Sequence, residues 1–206
     1  MDFFTNSNLL FYIIAYLAGS IPFGLILAKY YAKIDINQEG SKSIGATNVL
    51  RVVKQVDPTL AKKLGIATIL LDSFKGALVL LVAIYLQMPL ETLWAIAILS
   101  VLGHCYSIFM VFEGGKGVAT ALGVFLVLIP IPTVIGAVVW IFVAKVLKIS
   151  SISSLSGLIA IVVSTIILND GLSIGSNAPL YIIAFIIFYK HIPNIIRLFK
   201  NEELKV

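Results

Sequence analysis

Charge and cysteine are what this sequence has least of. Its single cysteine, Cys105, excludes a disulfide scaffold. Only 12% of its 206 residues are charged, whereas roughly a quarter are in an ordinary soluble domain. Apolar residues make up 60%, and the mean hydropathy is +1.05. A chain this apolar cannot bury its surface against itself in water, so a single soluble domain is excluded, and so is intrinsic disorder. No group of His, Cys, Asp and Glu has metal-ligand spacing, and no G-x-S-x-G elbow offers a serine nucleophile. The sequence thus gives no reason to expect a metal or cofactor. Heptads, internal repeats and low-complexity tracts are also lacking. The opening Met1-Asp2-Phe3-Phe4-Thr5-Asn6 has none of the basic residues that start a cleavable signal peptide.

What is present is a series of long hydrophobic runs, which read as an all-α polytopic membrane protein. Spans are expected over about 8–28, 64–86, 92–112, 152–168 and 180–198. The 118–147 stretch is too long for one ordinary span, and Pro130 and Pro132 sit near its middle, where they break or turn a helix. Splitting it there gives seven transmembrane helices. One set of connections is then 32–63, 113–117, 145–151 and the tail from 190. The other is the N-terminus, 87–91, 129–132 and 169–179. All fifteen Lys and Arg lie in or near the first set or on the helix ends leading to it, with Lys75 set deepest. The positive-inside rule therefore puts the N-terminus outside and the C-terminus in the cytoplasm. Six spans would scatter the cations over both faces. The net charge of +5 is thus mostly a mark of topology and no indication of nucleic acid. The whole chain, 1–206, is expected to be one integral-membrane domain.

Several segments could carry chemistry. Gly114-Gly115-Lys116-Gly117-Val118-Ala119-Thr120 joins three glycines, a lysine and the start of a helix. Backbone N–H groups, a helix dipole and a full charge together make a phosphate cradle. A flexible turn with a snorkelling lysine is the plainer alternative. The helix that follows has only about a dozen residues before Pro130, roughly 20 Å, so the loop is expected to sink below the inner surface. The long 32–63 connection holds Gly40-Ser41-Lys42-Ser43-Ile44-Gly45-Ala46-Thr47-Asn48-Val49-Leu50-Arg51. Its hydroxyl, amide and guanidinium groups suit a polyol phosphate, although a solvated loop capping a helix at Thr47 or Asn48 reads equally well. His191 and Asn194 lie three apart, Lys190 precedes them and Arg197 follows. His104 reads either as orienting the Gly-rich loop by a hydrogen bond, the favoured reading, or as a catalytic group. Asp72 and Lys75 are spaced for a helical ion pair that either braces loops or touches ligand. Gly19-Ser20-Ile21-Pro22-Phe23-Gly24 reads as close helix packing. Cys105 reads as a small apolar residue.

Taken together these motifs resemble the bacterial acyl-phosphate-dependent glycerol-3-phosphate acyltransferases, the PlsY family. The resemblance rests on Gly19-Ser20-Ile21-Pro22, on Gly40-Ser41 through Gly45-Ala46-Thr47-Asn48 to Arg51, on Asp72-Ser73-Phe74-Lys75-Gly76, on Gly103-His104, on Gly114 to Thr120, and on His191-Ile192-Pro193-Asn194. It implies a seven-span enzyme of the bacterial cytoplasmic (inner) membrane, working as a monomer with its active site on the cytoplasmic side. The implied reaction moves an acyl group from acyl phosphate to the 1-hydroxyl of glycerol 3-phosphate, giving lysophosphatidic acid and phosphate. By resemblance, Gly114, Gly115, Lys116, Gly117, Val118, Ala119 and Thr120 hold the acyl phosphate. Ser41, Arg51, Lys116, His191 and Asn194 bind glycerol 3-phosphate or support catalysis. Ser43 stands where the family usually has Asn, and Lys190 where Arg commonly precedes the histidine. An anion transporter is the main reading from another class, but its sites sit near the midplane between paired repeats, which this sequence lacks.

Overall fold

The computed structural model describes residues 7–168 and 175–204. The opening stretch 1–6 and most of the 169–179 connection lie outside the described residues. Among the described residues the chain is helical and has no strand. Four helical segments are long and apolar enough to cross a membrane, and a fifth is added if one bent pair counts as a span.

The first segment runs from Ser7 to Ala32 and is interrupted. Helix α1 (Ser7–Ser20) stops at Ile21-Pro22, α2 (Phe23–Leu27) restarts, and a π-helical turn carries on through Ala28–Ala32. Proline lacks the N–H that would continue the ladder, so nearby carbonyls need other donors. Ser107 Oγ donates to the Ser20 carbonyl at 2.6 Å, and Lys75 Nζ to the Ile21 carbonyl at 2.9 Å. Helix α3 (Ala46–Val53) lies within the 32–63 connection. Helix α4 (Pro58–Tyr85) starts on Asp57, whose carboxylate accepts from the Thr59 and Leu60 N–H groups, with Pro58 in the first helical position.

Helix α5 is Leu90–Cys105 and α6 is Val118–Leu128. The expected break at Pro130 occurs at Ile129, and α7 occupies Pro130–Leu147. Helix α8 (Ser150–Leu168) follows. Helices α9 (Ala178–Lys190) and α10 (Ile192–Phe199) meet at a 49° bend. The single span expected over 180–198 is therefore two helices, because Pro193 has no N–H to continue α9. The span expected over 92–112 also ends early, at Cys105. Ser107 begins a tight loop there, exchanging backbone bonds with Phe112 and Glu113, while Phe109, Val111 and Phe112 stay exposed. Hydropathy cannot distinguish an apolar loop tip from the end of a helix.

Small residues set how closely the helices approach. A side chain on Gly19 would collide with the Ser100 carbonyl, and one on Gly103 with the Tyr16 carbonyl, so α1 and α5 pack backbone to backbone. Gly123 sits in the same way on the Ser73 carbonyl, joining α6 to α4, and Gly136 faces Gly157 between α7 and α8. The main core gathers Trp94, Val101, Phe125, Ile183 and Ile187. A second core of Ile36, Ile44, Val49, Val52, Val53 and Leu64 folds the 32–63 connection onto α4. The longest loop is thus a small packed lobe.

These contacts predict that Gly103→Ala destabilises the protein by about 1–3 kcal/mol through overpacking. Gly45→Ala, whose new methyl would meet only Ser43 Oγ at 3.7 Å, is expected to be tolerated. Thermal unfolding of both variants in detergent checks this, and equal melting temperatures would contradict the close α1–α5 contact.

Candidate active site

A cavity of about 630 Å³ opens where the 40–48 loop, α3, α4, α6, α7, α8 and the C-terminal tail converge. Ser41, Arg51, Lys116, His191 and Asn194 all line it. Residues expected from separate stretches of sequence are thus brought to one place. Of the Gly-rich segment, Lys116, Gly117, Val118 and Ala119 reach the cavity wall. Gly114, Gly115 and Thr120 stand behind that wall.

Each stretch is held by local chemistry. In the 40–48 loop the Asn48 amide donates to the Ile36 and Glu39 carbonyls at 3.0 and 3.1 Å, and its oxygen accepts the Ser41 N–H at 2.8 Å. Asn48 therefore shapes the loop that presents Ser41. Gly40, at φ 61°, leaves the space that the Asn48 amide fills. Thr47 Oγ1 bonds Ser150 Oγ at 2.9 Å and links the lobe to α8.

The Gly-rich loop is seated on His104, as expected. The Gly115 N–H donates to the His104 carbonyl at 3.0 Å, and a side chain on Gly115 would run into the His104 imidazole. Gly117 takes a left-handed φ of 81° at the N-cap of α6. Asp72 and Lys75 form the expected pair at 2.8 Å, both buried. Lys75 Nζ also meets His104 Nδ1 at 2.9 Å, so its remaining contacts brace the break in the first helix and the ring beneath the loop. Lys190 donates to the Cys105 carbonyl at 3.0 Å and covers the Tyr106 ring, which ties α9 to the end of α5. Cys105 is buried in the core.

At the bend, His191 Nδ1 donates to the Ile187 carbonyl at 2.7 Å, since a carbonyl can only accept. Its other nitrogen is then the acceptor of a neutral ring. The ring is buried beside cations whose pKa values burial depresses. Burial lowers Lys116 to about 8; Glu203 opposes this, while Arg197, Arg51 and Lys190 repel the charge. Arg51 is lowered by burial as well, and its Nε is buried without a partner.

Glu203 is the participant that the sequence reading missed. Asn201 turns the chain at φ 56°, the Glu202 N–H returns to the Arg197 carbonyl, and the tail folds back over α10. The Glu203 carboxylate then accepts from Ser151 Oγ at 2.8 Å, Asn194 Nδ2 at 2.6 Å and Arg197 Nε at 2.8 Å. Burial pushes its pKa up, but these donors and the Arg197 charge bring it below the usual glutamate range. The only available signal was an acidic pair at the end of a basic tail, and spacing alone gives such a pair no address. Beyond the polar end, Ile69, Leu122, Phe125, Trp140, Leu158 and Ile161 give the cavity an apolar flank. The whole can hold a compact polyanion beside an aliphatic chain. Among the described residues no group of acidic, His and Cys side chains could hold a metal ion.

The family profile described as "Glycerol-3-phosphate acyltransferase" matches residues 9–201. A protein of that name from Aliarcobacter butzleri is 70% identical over 206 residues, covering 100% of both chains. One from a Nitratiruptor species is 62% identical, covering 100% of this chain and 99% of its own. The crystal structure of PlsY, an integral membrane glycerol 3-phosphate acyltransferase, in its glycerol 3-phosphate form superposes with a TM-score of 0.83 at 32% identity, over 98% of this chain and 96% of that one. Its lysophosphatidic acid form gives 0.80 at 31% identity, over 97% and 95%.

The titration of Lys116 predicts how anion binding depends on pH. The charged ammonium is present below its pKa of about 8 and is lost as pH rises through it. Affinity for inorganic phosphate should therefore fall about tenfold in all between about pH 7 and about pH 9, as the protonated fraction of Lys116 drops from about nine-tenths to about one-tenth. Calorimetric titration of the purified protein measures this, and Lys116→Arg should move the fall to higher pH. A flat profile would contradict a direct role for Lys116.

Proposed function

Because the chain belongs to the glycerol-3-phosphate acyltransferase family, we propose that it acylates the 1-hydroxyl of glycerol 3-phosphate from acyl phosphate. The products are lysophosphatidic acid and phosphate, and the step is the first acylation of phospholipid synthesis. The observation that carries this reading is one cavity with Ser41, Arg51, Lys116, His191 and Asn194 at its polar end and an apolar flank beside them. A small phosphorylated polyol fits the first part and an acyl chain the second. The relatives' name and the neighbouring structures' ligand states support the acceptor and the product.

The glycerol hydroxyl attacks the acyl carbonyl directly. A new C–O ester bond forms, the carbonyl carbon's bond to the phosphate oxygen breaks, and phosphate leaves with that electron pair. A mixed anhydride needs no covalent enzyme intermediate, so positioning and charge stabilisation supply the rate. Arg51 and Lys116 neutralise the two phosphates, Ser41 and Asn194 bond the polar groups of glycerol 3-phosphate, and the Gly114 to Thr120 segment orients the donor head group. The hydroxyl proton passes to a substrate phosphate. A phosphomonoester has a second pKa of about 6, so its dianion can take that proton near neutrality, while His191 Nδ1 is engaged with the Ile187 carbonyl. His191 is thus a hydrogen-bonding binder.

The same reading places one integral-membrane domain in the bacterial inner membrane, monomeric, with its site facing the cytoplasm. Four long spans and the bent α9–α10 pair support this reading, which also counts the shorter apolar helices α5 and α6 to reach seven crossings. The N-terminus is then outside, and the Lys- and Arg-bearing connections inside.

Purified protein given acyl phosphate and glycerol 3-phosphate should release inorganic phosphate, and acyl-CoA should not replace the donor. Absence of acceptor-dependent release from folded protein would overturn the proposal. Lys116→Ala is expected to cost at least ~100-fold in turnover, the scale of a lost anion-stabilising group. His191→Gln should raise the KM for glycerol 3-phosphate much more than it lowers kcat. A collapse of kcat at unchanged KM would make His191 the base instead.

A further inference from the structure

Between α5 and the Gly-rich loop the chain turns through Tyr106-Ser107-Ile108-Phe109-Met110-Val111-Phe112-Glu113, whose one charge is its last residue. Met110 packs inward on the second core, while Ile108, Phe109, Val111 and Phe112 are exposed, Val111 to 86%. Val111 and Phe112 hold left-handed φ values of 53° and 61°, which a β-branched or bulky side chain adopts only at a cost. In water this turn would carry strain in order to display four large apolar groups. Its backbone asks little of water. The N–H groups of Tyr106, Ser107, Phe109, Met110, Phe112 and Glu113 all bond within the protein, and Tyr16 Oη donates to the Tyr106 carbonyl at 2.7 Å. A turn at the boundary between headgroups and acyl chains needs its polar backbone paired in this way. Depth can be read along α4. Its charged end is at Lys62 and Lys63, and Lys75 lies about 18 Å further along at 1.5 Å per residue. Lys75 reaches the Ile21 carbonyl and Ser107 the neighbouring Ser20 carbonyl, whereas Met110 joins the core that holds Leu64. The turn therefore lies between the middle of the apolar spans and the charged end of α4, where acyl chains give way to headgroups.

We propose that the tip of this turn is a lipid-inserted wedge: Ile108, Phe109, Val111 and Phe112 enter the acyl-chain layer at its headgroup boundary and hold the Gly-rich loop at that depth. The connection between wedge and loop is short and stiff. The Ser107 N–H donates to the Glu113 carbonyl at 3.2 Å and closes the turn. Gly114 follows directly, packed so that a side chain there would strike the His104 carbonyl, and the Gly115 N–H bonds that same carbonyl. A wedge fixed in lipid thus fixes the loop that carries Lys116. On the acyltransferase reading, on which this consequence rests, the donor is an acyl chain ending in phosphate and lies in the same leaflet. The loop then meets the donor head group at the boundary, without drawing the chain into water.

The test uses the full-length protein in phosphatidylcholine vesicles, with a nitroxide label on Val111→Cys. The native Cys105 is buried, and the parent chain treated with the same label gives the background. Relaxation of the label by oxygen, which partitions into lipid, is compared with relaxation by a water-soluble nickel chelate. The label should behave like one on Leu78→Cys, exposed on α4, and unlike one on Lys54→Cys, exposed in the lobe. Chelate access equal to that at Lys54→Cys would overturn the proposal, because the tip is then in water. Protection from both reagents would also overturn it, because protein, such as a second copy of the chain, then covers the tip. Val111→Asp tests the consequence for the loop, and it removes no core contact because Val111 is exposed. A wedge withdrawn nine times in ten raises the apparent KM for acyl phosphate about tenfold. The KM for glycerol 3-phosphate should not move. An unchanged KM for acyl phosphate would overturn the link between wedge and Gly-rich loop. The relaxation measurement needs no substrate. A lipid-buried label on a protein that turns over no acyl phosphate would therefore count against the acyltransferase reading and leave the wedge standing.

Discussion

The Lys75 ammonium is the contact on which the rest of the arrangement depends. A charge among membrane-spanning helices is costly unless all its hydrogens find acceptors. Lys75 has three hydrogens and three acceptors at 2.8–2.9 Å: Asp72 Oδ1, the Ile21 carbonyl and His104 Nδ1. The first acceptor neutralises the charge. The second closes the gap left where Pro22 breaks the first segment. The third fixes the ring on which Gly115 rests, and so the height of the loop that carries Lys116. One side chain thereby ties a broken helix, a buried carboxylate and the Gly-rich loop together, without contributing an atom that the proposed reaction needs. Removing the amine would leave a carboxylate without a counter-charge in a low-dielectric interior, and the Ile21 carbonyl with the Phe23 N–H as its remaining donor.

Backbone proximity supplies the second constraint. Lipid gives helices little hydrophobic reason to associate, so close contact between small residues has to hold them together. Gly19, Gly103, Gly123, Gly136 and Gly157 each lie where a side chain would strike a neighbouring helix. Gly123 matters most for the site, because it seats the short α6 on α4. With 11 residues, α6 is about 16 Å long, roughly half the thickness of a hydrocarbon core. Gly117 at its N-terminus packs against Val101, Cys105 and Ile187, so the Gly-rich loop is held inside the helix bundle, and burial there lowers the Lys116 pKa.

Much of this could be read in the sequence because the responsible groups act locally. Proline lacks a hydrogen-bond donor, so the break before Pro130 was legible, and a three-residue spacing made the Asp72–Lys75 pair legible. The five cavity residues came from motif resemblance, and geometry then brought them together. Other features depend on partners distant in sequence. Asn48 reads as a helix cap or a ligand group, yet its amide is wholly used by Ile36, Glu39 and Ser41. Helix α5 ends at Cys105 because Ser107 bonds across to Ser20, 87 residues away, while the apolar Ile108 to Phe112 run suggests that the helix continues. The bend at His191 was encoded by Pro193, but the 180–198 stretch has the length of a single span and was read as one. Glu203 was marked only as one of an acidic pair, since its meaning comes from a turn that carries it back to α8 and α10.

Lys116 and His191 both line the cavity but offer it different things. Lys116 at about 8 is still mostly protonated near neutrality, whereas His191, with Nδ1 donating to the Ile187 carbonyl, has its other nitrogen as an acceptor in the neutral ring. The cavity therefore offers fixed cations to bound anions and an uncharged acceptor to a hydroxyl. This division suits a reaction in which both substrates carry phosphate. If His191 were also charged, it would have no lone pair for the attacking hydroxyl. If Lys116 were exposed, water would screen much of its effect on the leaving phosphate. An anion entering the cavity relieves the repulsion among Arg51, Lys116 and Arg197, so part of its binding free energy is already built into the folded protein. Preorganisation of that kind lets charge stabilisation replace a nucleophile. Glu203, bonded to Ser151, Asn194 and Arg197, offsets part of that repulsion, so the cations stay close enough together to meet one anion.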